Sequence, residues 1–187
     1  MLVEYDCKKV NVINCEYKGE TIEGHYYRYV LPLNIKTVSN KKILIMILMN
    51  PSKANKSESD ITVNRVIKYA EEEKYSKLIV LNSLPYMETE SEKLKKSADI
   101  SKIGIENNLK CIKKIVKEND GAKIILAHGI PIGRQGAESL VRIYDILKKQ
   151  ECNVYTFGRN TVKPMAYPKH LRVTSNEELN NTREFLI

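Results

Sequence analysis

The chain has 187 residues, a length that suits one domain, and its 42% hydrophobic and 29% charged residues exclude collagenous, coiled-coil and wholly disordered proteins. The 31 Lys and Arg residues exceed the 23 Asp and Glu residues and leave a formal net charge of +8. This charge favours a polyanionic partner such as nucleic acid, although a lysine-rich surface without a specific partner explains it equally well.

The predicted elements begin with an N-terminal hairpin extension over residues 1–40. Its turn lies at Tyr17 to Glu20 and its second strand runs from Gly24 to Leu33. The unbroken apolar run from Lys42 to Met49 predicts a strand that is buried on both faces, as in a parallel sheet. This run is far shorter than the ~20 residues that span a bilayer, and no signal segment is visible. We therefore expect a cytoplasmic protein without membrane contact.

The rest of the chain alternates helices with strands. The predicted elements are, in order, a helix from Ser59 or Asp60 to about Glu73, a strand over Leu78–Leu81, a helix with the stripe Ile105, Leu109, Ile112 and Val116, a strand over Ala122–Ala127, a glycine-rich turn over His128–Gly136, a helix over Ala137–Lys149 and a strand over Asn153–Phe157. A basic loop, a short strand and a final helix follow. This alternation predicts a single α/β domain over residues 1–187, with three α/β/α layers around a parallel four-stranded sheet.

Polar residues follow the predicted strands at four places: Asn50-Pro51-Ser52, Asn82, His128 and the loop around His170. Ligands bind beyond the carboxyl ends of the strands in such sheets, so we expect these residues to converge there. No P-loop, dinucleotide-binding or nucleophile-elbow motif is present. The four cysteines are scattered and have no metal-binding spacing. The sequence therefore predicts reduced thiols and a site that needs no metal or other cofactor.

Three segments carry a resemblance to a family of uncharacterised small prokaryotic and phage proteins. They are Ile47 to Ser52, Asp60 to Arg65 and Val80 to Tyr86. The match extends to the Gly129 region and to the loop from Lys163 to His170, so it covers most of the chain. This family has no activity in its name, and the resemblance therefore implies motif positions and a fold, without a reaction.

The chain also resembles, more distantly, the uracil-DNA glycosylase superfamily. Met49 to Ser52 is similar to the Asn-Pro form of that superfamily's first motif, and Leu81-Asn82 is similar to its base-reading strand end. Leu126 to Gly129 is similar to its third motif, and Tyr167 to Leu171 to its late loop, with Pro and His in a different order. This resemblance implies a uracil-DNA-glycosylase-like fold and a DNA substrate.

The resemblance implies that Asn50 orients the attacking water, Asn82 reads the base and His170 stabilises the leaving group. Cleavage of an N-glycosidic bond passes through an oxocarbenium-like sugar, so water needs orientation more than deprotonation, and a neutral amide can supply it. Asp60 is a candidate general base, with a helix N-cap as the alternative. The other three residues also have non-catalytic alternatives: a strand-ending turn for Asn50, a structural amide for Asn82 and a solvated side chain for His170.

The predicted base pocket also includes Ser52, Tyr86 and His128. In the uracil-specific enzymes that the chain resembles, a Tyr stands after the first-motif Pro and excludes substituents at pyrimidine position 5. The smaller Ser52 predicts space for a 5-substituted base, such as a hypermodified phage cytosine, unless Tyr86 or Tyr167 closes that space. His128 is a candidate base-binding residue or a packed structural histidine.

Basic and hydroxyl side chains collect where the resemblance places DNA. The predicted DNA-binding residues are Lys53, Thr62, Arg65, Arg134, Lys163, Lys169 and Arg172. Together, the two resemblances imply a monofunctional DNA glycosylase that flips and excises a modified pyrimidine and leaves an abasic site, in genome defence or phage-encoded base processing. We expect it to be a monomer. The alternatives are an N-glycosidase of free nucleosides or nucleotides and a non-catalytic nucleic-acid-binding module.

Overall fold

The computed structural model describes residues 2–13, 15–18, 26–88, 102–158, 167–171 and 174–187. The strands in these ranges are β1 (Val3–Glu4), β2 (Val10–Val12), β3 (Glu16–Lys18), β4 (Tyr27–Ile35), β5 (Ile43–Leu48), β6 (Glu58–Ser59), β7 (Lys77–Asn82), β8 (Lys123–Leu126), β9 (Val154–Phe157) and β10 (Thr182–Glu184). The helices are α1 (Ile61–Glu72), α2 (Lys102–Glu118), α3 (Gly133–Lys149) and α4 (Asn176–Leu179).

A mixed sheet forms the centre of the fold. Its strand order is β10-β9-β8-β5-β7-β4-β2, and β3 pairs with β4 outside this order. β5 pairs in parallel with both β7 and β8, and β8 pairs in parallel with β9. By contrast, β10, β4 and β2 run antiparallel to their neighbours. The four predicted strands, β5, β7, β8 and β9, do form the parallel middle of the sheet, but a sheet of four parallel strands is not confirmed, because antiparallel strands extend it to an eight-stranded mixed sheet.

Helices cover both faces of this sheet. Successive residues of a strand point to opposite faces, and those of β5 belong to two different core clusters. Met46 shares one cluster with Val66 of α1, and Ile47 shares the other with Ile112 of α2 and Ile143 of α3. We call these sides the α1 face and the α2–α3 face. The prediction of an α/β protein is confirmed.

The N-terminal segment differs from the predicted extension. β3 does pair antiparallel with β4, as in a hairpin. However, β4 also pairs with β7 and is therefore an integral strand of the central sheet. The reason is that β4 is apolar on both faces: Tyr29 packs on the α2–α3 face and Leu33 packs on the α1 face.

The C-terminal elements occur in the reverse of the predicted order. α4 comes first, and β10 then pairs antiparallel with β9 at the sheet edge. A capping box explains the helix, because the Ser175 side chain accepts from the Glu178 N–H while the Glu178 carboxylate accepts from the Ser175 N–H. α3 also begins earlier than predicted, at Gly133, within the segment interpreted as a turn. Within the described ranges, no helix is long and apolar enough to cross a membrane.

Candidate active site

Asn50 and Asn82 lie at the ends of adjacent parallel strands. β5 and β7 pair in register from Ile43 with Lys77 to Leu48 with Asn82, and Asn50 follows two residues after Leu48. Both asparagines are therefore at the carboxyl edge of the sheet, where ligands bind in α/β proteins. This is the placement on which the predicted site depends.

The side-chain amide of Asn50 holds the loop that follows β7. Its Nδ2 donates to the carbonyl oxygens of Glu88 at 2.7 Å, Pro51 at 3.1 Å and Tyr86 at 3.4 Å. Three carbonyl acceptors fix the orientation of the amide, because a carbonyl oxygen accepts but never donates. Among the described residues, none donates a hydrogen bond to Oδ1 of this half-buried side chain. Within the described residues, the loop contacts therefore leave Oδ1 of Asn50 as an oriented acceptor that a water molecule can use.

Asn82 is fully buried, and in the described part of the chain neither polar atom of its side chain has a hydrogen-bond partner. Its neighbour two residues back, Val80, packs on the α1 face, so the Asn82 side chain points to that face as well. The backbone carbonyl of Asn82, by contrast, accepts from Asn108 Nδ2 at 2.9 Å. An unpaired buried donor or acceptor costs ~1–3 kcal/mol. A ligand with a complementary acceptor and donor would remove this cost.

Asp60 precedes α1, and its carboxylate organises the loop before the helix. Oδ1 accepts from the Val63 N–H at 2.8 Å, and Oδ2 accepts from the Ala54 N–H at 3.3 Å. Both oxygens thus stabilise backbone N–H groups at the start of α1 and in the loop. This geometry favours the N-cap alternative for Asp60 over the general base. Ser52 is half-buried in the same loop.

The late loop reaches the carboxyl end of β8. The Leu171 N–H donates to the Ala127 carbonyl oxygen at 3.2 Å. Half-buried His170 packs against Gly129, which has a φ of +72° and no space for a Cβ atom on the side of the histidine. Since β8 adjoins β5, His170 lies at the same edge of the sheet as Asn50 and Asn82.

His128 is fully buried on the opposite side of β8 from the α1 face. Its Nδ1 lies 2.7 Å from the Gly129 carbonyl oxygen and must carry the proton, because that oxygen only accepts. Nε2 therefore accepts from the Tyr144 hydroxyl at 2.9 Å. Burial lowers the pKa of His128 to about 4, and the charge of His170 acts in the same direction. These contacts favour the structural alternative for His128.

Tyr86 lies in the core of the α2–α3 face. It is 1% exposed and meets Tyr27 edge-on, with the ring centroids 4.9 Å apart. Its ring is therefore on the other side of the sheet from the Asn82 side chain. Tyr167, the other candidate for closing the pocket, is 50% exposed. The structure thus does not bring Tyr86 together with Asn82.

Arg65 connects α1 to the late loop. Its Nη1 donates to the Leu171 carbonyl oxygen at 2.6 Å, and Nη2 donates to the Thr174 carbonyl oxygen and, at 3.5 Å, to Asn176 Oδ1. A guanidinium with several backbone acceptors is held in one geometry. Arg65 therefore positions the segment that carries His170, a role that the prediction of DNA contact did not include.

The other predicted DNA-binding residues have mixed environments. Lys169 pairs with Glu178 at 2.7 Å, and this contact, together with the Ser175 N–H, lowers the pKa of Glu178 to about 2. Exposed Arg134 pairs with Glu138 at 2.7 Å. Lys53 is exposed and Thr62 is half-buried, whereas Lys163 and Arg172 lie outside the described residues.

Sequence reasoning missed Arg28, a buried arginine of β4. Its side chain is 1% exposed, and its Nη1 donates to the Ala54 carbonyl oxygen at 2.7 Å. Its Nε has no hydrogen-bond partner among the residues described. The signal was present in the sequence, because Arg28 is the one charged residue of the run from Tyr26 to Leu33.

The fold and the site define an α/β protein with two asparagines at adjacent strand ends. The chain belongs to the family described as "Protein of unknown function (DUF1643)", whose sequence profile matches residues 28–170. This match confirms membership of an uncharacterised family. No curated protein and no solved structure matches the chain. The resemblance to the uracil-DNA glycosylase superfamily therefore stays a prediction from sequence.

Proposed function

We propose that the protein is a DNA glycosylase that flips a modified pyrimidine and hydrolyses its bond to deoxyribose. The observation that carries the proposal is the side chain of Asn82. It is fully buried at the carboxyl edge of the sheet and offers both a donor and an acceptor that the described part of the protein does not use. A base edge presents such paired groups, and reading a flipped base requires hydrogen bonds to that edge.

In the proposed reaction, Asn50 Oδ1 orients a water molecule towards the anomeric carbon. The bond from this carbon to the base nitrogen breaks, and its electron pair leaves with the base. The water oxygen bonds to the carbon and its proton passes to solvent, which yields an abasic sugar. His170 donates a hydrogen bond to the departing base as negative charge grows on it. The contacts of Asn50 support this role, because they fix its amide with the oxygen unused by described residues.

A second candidate function is hydrolysis of a free nucleoside or nucleotide in the same site. The environments of the basic residues favour it. Arg65, Arg134 and Lys169 all have acceptors within the protein, which reduces the number of cations available for a DNA backbone. Affinity for DNA that falls with salt would not separate the two candidates, since any protein of this charge can show it.

The experiment that tests the proposal measures release of free base. Single- and double-stranded oligonucleotides carry uracil, thymine, 5-hydroxymethylcytosine, its glucosylated form or the acidic pyrimidine 5-carboxymethyluracil, and the matching free nucleosides are assayed in parallel. Excision from DNA that falls about 100-fold or more in Asn50→Ala supports the glycosylase. Cleavage of nucleosides alone supports the second candidate. DNA binding without release of any base leaves the non-catalytic module and contradicts both.

The same assay tests the expectation of an open pocket beside Ser52. Excision of a 5-substituted base by wild-type protein, lost in a folded Ser52→Tyr variant, supports it. Excision of uracil alone would support the glycosylase but contradict the expectation of space beside pyrimidine position 5.

A further inference from the structure

Arg28 is a buried cation that forms no ion pair with a carboxylate of the described residues. A buried guanidinium is strongly destabilising unless it is paired, because arginine stays charged in proteins. None of the ion pairs within the described residues includes Arg28. Its one hydrogen bond there runs from Nη1 to the Ala54 carbonyl oxygen, and Nε has none.

The groups that act on Arg28 only partly compensate its charge. Tyr5, Cys15 and Asp60 all favour the charged form, but burial outweighs them and lowers the pKa of Arg28. Asp60 is the carboxylate among them, and both of its oxygens accept from backbone N–H groups. Asp60 thus offsets part of the Arg28 charge without forming an ion pair with it, and no described residue accepts from Arg28 Nε in this buried site.

Arg28 and Asn82 lie on the same face of the sheet, at the end where β4 begins and β7 ends. β4 and β7 are neighbours, and the Arg28 N–H donates to Pro85, three residues beyond Asn82, at 3.0 Å. The Arg28 guanidinium contacts Ala54, which packs on the α1 face, the face to which Asn82 points. Ala54 is two residues beyond Ser52, where the pocket is expected to admit a substituent at position 5.

We propose that Arg28 and Asn82 together bind a ligand with an anionic oxygen attached to a planar, hydrogen-bonding ring. Resting on the proposed glycosylase function, this identifies the substrate class as pyrimidines with an acidic substituent. Asn82 binds the ring edge, and Arg28 binds the negatively charged group. The ligand supplies the direct ion pair that the described residues do not give Arg28, through a charge-assisted hydrogen bond, which is stronger than a neutral one.

A matched pair of probes tests this assignment without requiring excision. 5-Carboxymethyluracil is anionic at pH 7, and 5-carbamoylmethyluracil has nearly the same shape without the charge. Equilibrium binding of each free base is measured for wild-type protein, Arg28→Met, Arg28→Lys and Asn82→Asp. Wild type should bind the acid at least about tenfold more tightly than the amide. Arg28→Met and Asn82→Asp should lose this preference, and Arg28→Lys should retain part of it.

Arg142→Met is the control, because it removes an exposed arginine paired with Glu106 and should keep the wild-type preference. Equal binding of the two probes by wild type would overturn the proposal. So would an unchanged preference in Arg28→Met, or equal weakening of both probes, which indicates a structural role. If Arg28→Met does not fold, Asn82→Asp decides: on this proposal its carboxylate takes the place of the ligand's anion at the guanidinium, so an unchanged preference for the acid would overturn the proposal. Failure of base excision with the binding preference intact would contradict the glycosylase and leave the anion site standing.

Discussion

Gly129 and His170 approach each other so closely that a Cβ atom on the glycine would lie 2.6 Å from the Cβ atom of the histidine. Gly129 also has a φ of +72°, a left-handed conformation that L side chains rarely adopt. The carboxyl end of β8 therefore requires glycine for two independent reasons. Its close approach places His170 at the edge of the sheet that carries Asn50 and Asn82.

Gly129→Ala should displace the late loop as well as strain the backbone. The left-handed φ alone costs ~1–2 kcal/mol, and relief of the clash requires movement of His170. Hydrogen exchange of the Leu171 N–H should accelerate, because this group donates to Ala127 across the same contact. Gly121→Ala is the control, with a φ of +78° and nothing within 4 Å of the added atom. Equal destabilisation of the two variants, with unchanged exchange at Leu171, would contradict the packing argument.

The buried His128 should make the protein less stable in acid. Its folded-state pKa is about 4, below the ordinary value of 6.5, so the unfolded state binds a proton more readily. Stability is therefore full above pH 6.5 and falls as pH decreases towards 4, by ~2 kcal/mol between pH 8 and pH 5. Urea unfolding of wild type and His128→Phe at several pH values measures the difference. The same slope in both proteins below pH 6.5 would show that another group is responsible.

Arg65 should act on stability rather than on DNA affinity. Arg65→Ala removes the donors to Leu171 and Thr174, and we expect a loss of ~2 kcal/mol in the free energy of unfolding. Lys68→Ala, on the same helix with an exposed ion pair to Glu72, should change it by less than about 0.5 kcal/mol. If Arg65 instead binds phosphate, Arg65→Ala will reduce the salt dependence of DNA binding and leave stability near that of Lys68→Ala.

Asn50→Asp separates the two functions of the Asn50 amide. Aspartate retains an oxygen for water but removes the donors to the carbonyls of Glu88 and Pro51. Repulsion between the carboxylate and these oxygens should destabilise the protein by ~1–3 kcal/mol and reduce base excision. Thermal unfolding and excision assays on Asn50→Asp and Asn50→Ala measure both effects. An Asn50→Asp variant as stable as wild type would exclude the proposed loop contacts.

Periodicity predicted the central strands and helices because burial dictates their pattern. Val63 and Val66 mark the buried face of α1, and the apolar run of β5 marks a strand covered on both sides. The antiparallel pairing of β4 with β7 and of β10 with β9 was not predicted. These pairs join strands that are far apart in the chain, and local sequence does not reveal such partners. The strand ends placed Asn50 and Asn82 together, since topology alone brings parallel strand ends to one edge.

The chemical roles of the site residues were harder to predict than their positions in the fold. Asp60 and His128 have residue types that suit catalysis, but their hydrogen bonds to Val63, Ala54, Gly129 and Tyr144 depend on the folded loops. Arg28 was overlooked although it is the one charged residue of an apolar run, because an arginine in an extended run is usually solvated and its burial is evident only in the packed structure.

Asn82→Leu tests the central claim most directly, because the claim predicts opposite effects on stability and function. If the buried amide serves to bind a base, removal of two polar atoms that no described residue pairs with should leave the unliganded protein at least as stable as wild type. Base excision should nevertheless fall about 100-fold or more. Asn108→Leu is the comparison, and it should destabilise the protein by removing the donor to the Asn82 carbonyl. Thermal unfolding and single-turnover excision are measured on the same preparations. A destabilised Asn82→Leu that still excises the base at the wild-type rate would contradict the claim.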